Sequence, residues 1–169
     1  MKNIIVIILL FTLHFTFAQK NAESTDEFKI TGKVKIEKTL TLADLKKYKA
    51  IELKNVNISC SPKNEDKAGT VKGVLLKNIL DSISFQYEDR RMLNEFYFLF
   101  VASDGYKIVF SFNEIYNTET GNNLYIVTET DGKDIAAMDN RILVLTASDI
   151  KAGRRNMKWL SRIVVCSAE

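Results

Sequence analysis

The chain has 169 residues, with 24 Lys and Arg against 21 Asp and Glu, a formal charge of +3 and a single histidine, His14. So weak a net charge gives no electrostatic argument for a nucleic-acid partner. Residues 19–169 contain no histidine, which excludes Ser-His-Asp and Cys-His catalytic arrangements and histidine-bound zinc there.

Taken in chain order, Lys2 precedes an apolar run, Ile4 to Phe11, and Thr16-Phe17-Ala18 supplies small residues before Gln19. This pattern predicts an export signal over 1–18, cleaved after Ala18, and a periplasmic or secreted product. The run is short of the roughly 20 apolar residues a spanning helix needs, so the processed chain is expected not to span a membrane. No cysteine follows it, which argues against a lipoprotein. Residues 19–27 are polar and read as a flexible lead-in. Residues 28–169 read as one domain.

Alternation in "FKITGKVKIEKTLT" predicts a bent edge strand or short hairpin around Gly32. "TLADLKKY" places Asp44 three residues after Thr41, a capping box opening a short helix. "AIELKNVNISC" alternates as a strand ending at Cys60, and "SPKNEDKAGT" reads as a loop. "VLLKNILDSI" has helical apolar spacing. Asp89-Arg90-Arg91 reads as an exposed loop. "FYFLFVA" and "KIVFSF" flank Asp104-Gly105, and "NLYIVTE" and "DIAAM" flank Asp131-Gly132, which predicts two hairpins. The nearby Glu129, Asp131 and Asp134 lack a calcium-loop spacing and read as solvated hairpin residues. "RILVLTA" and "KWLSRIVVC" are the last strands. Strands dominate and the few short helices do not alternate with them. The expected class is therefore α+β, a single domain on mixed or antiparallel sheet.

Two stretches carry candidate chemistry. In "GRRNMKWL", three basic residues within five positions lead into an apolar strand. An anion would explain them, since arginine offers a planar fork and Gly153 allows close backbone approach. Alternatively they form a solvated turn compensated by carboxylates such as Asp149. Trp159 is expected in the core. Cys60 and Cys166 admit a disulfide in an exported protein, and a buried cysteine is also an ordinary small apolar side chain.

The order "TLADLKKY … ISC … GVLLKNIL … SDGYKIVFS … DGKDI … RILVLTASDIKAGRRNMKWLSRIVV" resembles the oxidoreductase molybdopterin-binding domain, the core fold of sulfite oxidases and their bacterial relatives. The most specific part is Arg141-Ile142-Leu143-Val144, then Gly153, Arg155, Lys158-Trp159 and Arg162-Ile163. The resemblance implies that Gly153, Arg154, Arg155 and Lys158 bind the phosphate end of a molybdenum pterin. It also implies that the Cys60 thiolate coordinates the metal, and that the reaction is oxygen-atom transfer or two-electron reduction with a redox partner protein. The chain departs from the family pattern in three places. Ser61–Lys67 is polar and partly acidic, Lys72 replaces a tryptophan, and Ala137-Met138-Asp139-Asn140 replaces a His-Gly-x-Pro-like turn. Two readings stand. One is a molybdopterin-binding oxidoreductase-like protein. The other is a non-catalytic module that keeps the fold without the metal and binds a small anion or a partner protein.

Overall fold

The computed structural model describes residues 23–58, 68–150 and 153–168. The export signal, residues 19–22, Cys60 and the segment Ser61–Lys67 lie outside the described residues. Two five-stranded sheets form a single α+β domain. In the first, β1 (Glu27–Gly32), β2 (Lys38–Thr41), β5 (Phe96–Ala102), β6 (Lys107–Ser111) and β10 (Leu160–Ser167) take the order β2-β1-β10-β5-β6. In the second, β3 (Ala50–Asn57), β4 (Ala68–Leu75), β7 (Leu124–Thr130) and β8 (Lys133–Asp134) lie in that order, and β9 (Leu143–Thr146) also pairs with β7. Every pairing is antiparallel except β1 with β10. No helix of the described residues is long and apolar enough to cross a membrane.

The apolar residues of the two sheets meet in one core. Phe98 and Phe100 of β5, Phe110 of β6, Ile163 and Val165 of β10, and Ile126 and Val127 of β7 are all buried. Phe96, Phe98 and Phe100 of β5 enter the core while Tyr97 between them is only partly buried, as alternation requires, and Tyr87 before the strand is exposed. Phe85 stands edge-on to Phe96, Phe98 and Phe112, with ring centroids 5.8–6.5 Å apart.

Local chemistry explains the connections. Helix α1 (Leu42–Leu45) begins at a complete capping box: Thr41 Oγ1 accepts from the Asp44 N–H, and the Asp44 carboxylate accepts from the Thr41 N–H. The adjoining Lys47 ammonium and these donors hold the Asp44 carboxyl far below the usual carboxylate range. The β7–β8 hairpin closes through Asp131 (φ 47°) and Gly132 (φ 81°), the left-handed pair a two-residue turn needs. In the β5–β6 hairpin Gly105 (φ 92°) turns the chain, and Asp104 Oδ1 accepts from the Tyr106 N–H at 2.8 Å.

Several elements differ from the sequence expectation. The first hairpin forms, but β1 is interior and β2 is the edge, because β10 pairs with β1 on its other side. Ala68–Thr70, expected in a loop, open β4, where Thr70 N–H donates to Asp131 Oδ1. Val74 and Leu75 also belong to β4, and the helix that follows, α2, is only Leu76–Leu80. Residues 90–95 form a 3₁₀ turn capped by Asp89. "DIAAM" contributes only Asp134 to the two-residue strand Lys133–Asp134, then turns through a 3₁₀ segment at Ile135–Ala137 capped by Asp134. Two helices were not anticipated: α3 (Phe112–Asn117), with a second capping box between Ser111 and Glu114, and α4 (Glu119–Asn122).

Gly121 is the tightest point of this layer. A Cβ there would lie inside the van der Waals shell of the Ile115 carbonyl. Around Gly105 nothing lies within 4 Å of such an atom. Gly121→Ala should therefore cost about 3 kcal/mol through overpacking, whereas Gly105→Ala should cost only about 1–2 kcal/mol of left-handed strain. Urea denaturation of both variants checks the order. Equal losses would mean that α4 yields to the added methyl.

Candidate functional site

The basic turn is where the chain crosses from one sheet to the other. Met157 makes a two-bond bridge to Val144 of β9, with N–H···O distances of 2.7 and 3.0 Å. Three residues later Leu160 donates to the Ile142 carbonyl and enters β10. Asn156 is buried, and its Oδ1 accepts the Thr146 N–H at 2.9 Å. The hairpin tip between β5 and β6 holds the outer side. Tyr106 donates its hydroxyl to the Arg154 carbonyl at 2.6 Å, and the Ser103 N–H donates to the Trp159 carbonyl at 2.9 Å. The sequence marks Asp104-Gly105 as a hairpin turn, and Tyr106 makes its tip a support of the basic turn as well.

A third support comes from the segment read as a flexible lead-in. Within it, Glu23–Asp26 is strapped to the crossover. Thr25 donates its N–H to the Arg141 carbonyl at 2.9 Å and its hydroxyl to the Leu160 carbonyl at 2.8 Å, and its Oγ1 accepts from the Ile142 N–H at 3.1 Å. Asp26 pairs with Arg141 at 2.7 Å. Ser103 donates to the Glu23 carbonyl and Ser24 to that of Asp139. Composition alone reads Glu23–Asp26 as polar, but each of these polar groups finds a backbone or ionic partner.

Trp159, expected in the core, is half-buried. It has φ 59°, and its indole N–H donates to the Asp139 carbonyl at 2.8 Å. Met157 and Leu160 take the core positions at this crossing instead. Lys158 is half-buried and stands 5.8 Å over the Trp159 ring.

The charges of the turn divide into two kinds. Arg155 is committed to carboxylates. Its Nε and Nη2 grip Asp149 at 2.9 and 2.6 Å, its Nη1 reaches Glu114 of α3 at 2.8 Å, and its guanidinium lies 4.6 Å over the Phe110 ring. The Asp149 hydrogen bonds, with Glu114 adding to them, raise the Arg155 pKa above its ordinary value. Glu114 therefore serves twice, capping α3 through Oε2 and holding Arg155 through Oε1. Arg154 is exposed, and neither it nor Lys158 has a carboxylate in ion-pair range among the described residues. Gly153 has φ 91°. An open concavity of about 450 Å³ lies beside the turn, lined by Thr120, Ser148, Asp149, Ile150, Arg154 and Arg155.

Of the sequence-derived site residues, the structure brings Gly153, Arg154, Arg155 and Lys158 together on one turn. Cys60 lies outside the described residues. Cys166, in β10, is a free thiol. Glu129 pairs with Lys72 and Asp134 with Lys46, as hairpin residues. Glu114, Tyr106 and Thr25 were not singled out from sequence. The Ser-x-x-Glu spacing at 111–114 would have marked Glu114 as a cap, but nothing local marks its reach to Arg155.

The fold has a counterpart. The chain is similar to the sulfane dehydrogenase SoxCD from Paracoccus pantotrophus, with a TM-score of 0.58, at 11% identity, over 82% of this chain. The matched part is 37% of that protein's chain, and at this identity the likeness is one of fold. No protein-family model matches the chain, and no curated protein matches it.

The strap is testable by itself. Thr25→Val keeps the shape but leaves the Ile142 N–H and the Leu160 carbonyl without their hydroxyl partner. The expected loss is about 1–3 kcal/mol in chemical denaturation. A loss near zero would show that water replaces the hydroxyl there.

Proposed function

We propose that this chain is an exported, molybdopterin-binding oxidoreductase-like domain of the sulfite-oxidase fold, whose turn Gly153–Lys158 takes the phosphate end of the pterin. One observation carries the reading. Arg154 and Lys158, two cations with no carboxylate partner among the described residues, follow a glycine of positive φ, Gly153, on a backbone pinned to both sheets. A phosphate is recognised by such a set: fixed positive charge, N–H donors and room for close approach. The hydroxyl residues Thr120 and Ser148 line the same concavity. Sequence resemblance to the molybdopterin-binding domain and fold likeness to a named dehydrogenase support the reading independently.

The donor set thus fits the anionic end of the group. Cys60 is the residue that would hold the metal through its thiolate, to which such a metal is suited. When bound, a molybdenum pterin supplies oxygen-atom transfer or two-electron reduction. The chain's own contribution is to hold the phosphate with Arg154 and Lys158 and to fix the turn through Tyr106 and the sheet crossover.

A second reading has its own observation. Two carboxylates, Asp149 and Glu114, neutralise Arg155 beside the concavity, and residues 19–169 offer no histidine to a buried cofactor. On that reading the fold is kept as a non-catalytic module for a small anion or a partner protein.

Metal analysis of protein purified from a molybdenum-replete native host separates the two. Stoichiometric molybdenum in the wild type, lost in Cys60→Ser and in the Arg154→Ala/Lys158→Ala double variant, is the expected result. Molybdenum-free protein that still binds pyrophosphate, with weaker salt dependence in the double variant, would establish the second reading instead.

A further inference from the structure

We infer that Arg155 is a positioning residue, a latch that fixes the anion-facing turn, and that Asp149 and Glu114 belong to the binding site through it although both are negative. The inference rests on the anion reading of the turn and assigns its residues to different tasks. The guanidinium fork is used in full geometry. Two parallel bonds go to Asp149 and one goes to Glu114, while Phe110 closes one face. Only 27% of the side chain is exposed. Asp149 precedes the turn and is still less exposed, at 14%. Glu114 stands on α3, whose capping box fixes the carboxylate before Arg155 arrives. Arg155 thus ties the turn to the segment before it and to a helix in another part of the fold, while Arg154 and Lys158 on either side remain outside this network.

Electrostatics alone makes the opposite forecast to the latch. Removing a negative charge near an anion site strengthens anion binding. Loosening a latch weakens it, because the remaining cations lose their fixed geometry. The sign of the change therefore separates the two, and Trp159, the chain's only tryptophan, reports on the turn without any ligand.

The experiment measures pyrophosphate binding by calorimetry at low salt, and acrylamide quenching of Trp159 without ligand, in wild type, Asp149→Asn and Arg155→Lys. The latch predicts about tenfold weaker binding in both variants, with increased Trp159 quenching. Equal or tighter binding in Asp149→Asn, or unchanged quenching, overturns it. Should Asp149→Asn not fold, Glu114→Gln keeps the capping geometry and weakens one bond only. It should show the same two changes to a smaller degree, and no change overturns the latch. If the wild type binds no pyrophosphate, the anion reading fails, and the quenching arm decides the latch without it.

Discussion

The last strand is inserted between the first strand and the fifth, and most of the molecule's order follows from that insertion. β10 pairs in parallel with β1 and antiparallel with β5. To reach this slot from β9, which belongs to the other sheet, the chain must cross between sheets within the few residues before Leu160. Buried backbone N–H and C=O groups need partners wherever such a crossing occurs. Here the Val144–Met157 bridge, the Leu160–Ile142 bond, the Asn156 side chain and the Thr25 hydroxyl supply them. Among the described residues no buried side-chain nitrogen or oxygen is left without a partner. The basic turn is therefore an obligatory connection whose backbone is fixed by both sheets, and its side chains are displayed from a rigid base.

This rigidity changes how the charge cluster is read. Three cations within five residues repel one another, and the structure resolves the repulsion unevenly. Arg155 takes two carboxylates and an aromatic face; Arg154 and Lys158 take none among the described residues. The Arg155 cluster is only partly buried, so solvent screens much of its Coulomb gain and its net stabilisation is modest. Its contribution is geometric. A bidentate arginine fixes both direction and distance, which a lysine at the same position would not do.

The elements that were legible in the sequence are those governed by neighbours along the chain. The two Asp-Gly hairpins, the Thr41–Asp44 capping box and the alternation of β5 and β10 depend on steric rules acting over a few residues. Those that were not legible depend on partners far away. Within the polar segment before β1, Glu23–Asp26 is held because Thr25 finds Arg141, Ile142 and Leu160 more than a hundred residues on. Ala68-Gly69-Thr70 has loop composition but is strand because β3 flanks it and Asp131 takes the Thr70 N–H. Trp159 looks like core by residue type, yet its positive φ and indole bond to Asp139 leave it half-buried. α3 and α4 are too short to show helical periodicity. Of the candidate site, the residues of the turn could be read from sequence, and the division of labour among them could not. That division is set by Asp149, the nearby carboxylate the sequence does offer, together with Glu114, 41 positions away.

A frame of this kind constrains function without choosing it. The crossover would be as well defined in a cofactor-loaded enzyme as in a module that binds a free anion, since the bonds that define it run between residues of the chain itself. What differs is the balance of charge beside the turn. An anionic group with several negative charges must be neutralised from several directions, because a buried charge without partners is costly. At the described turn Arg154 and Lys158 supply positive charge, while Asp149 returns part of it as negative. On the proposed reading of the turn, such a balance suits a compact phosphate-like end held at the rim rather than a large polyanion drawn deep inside.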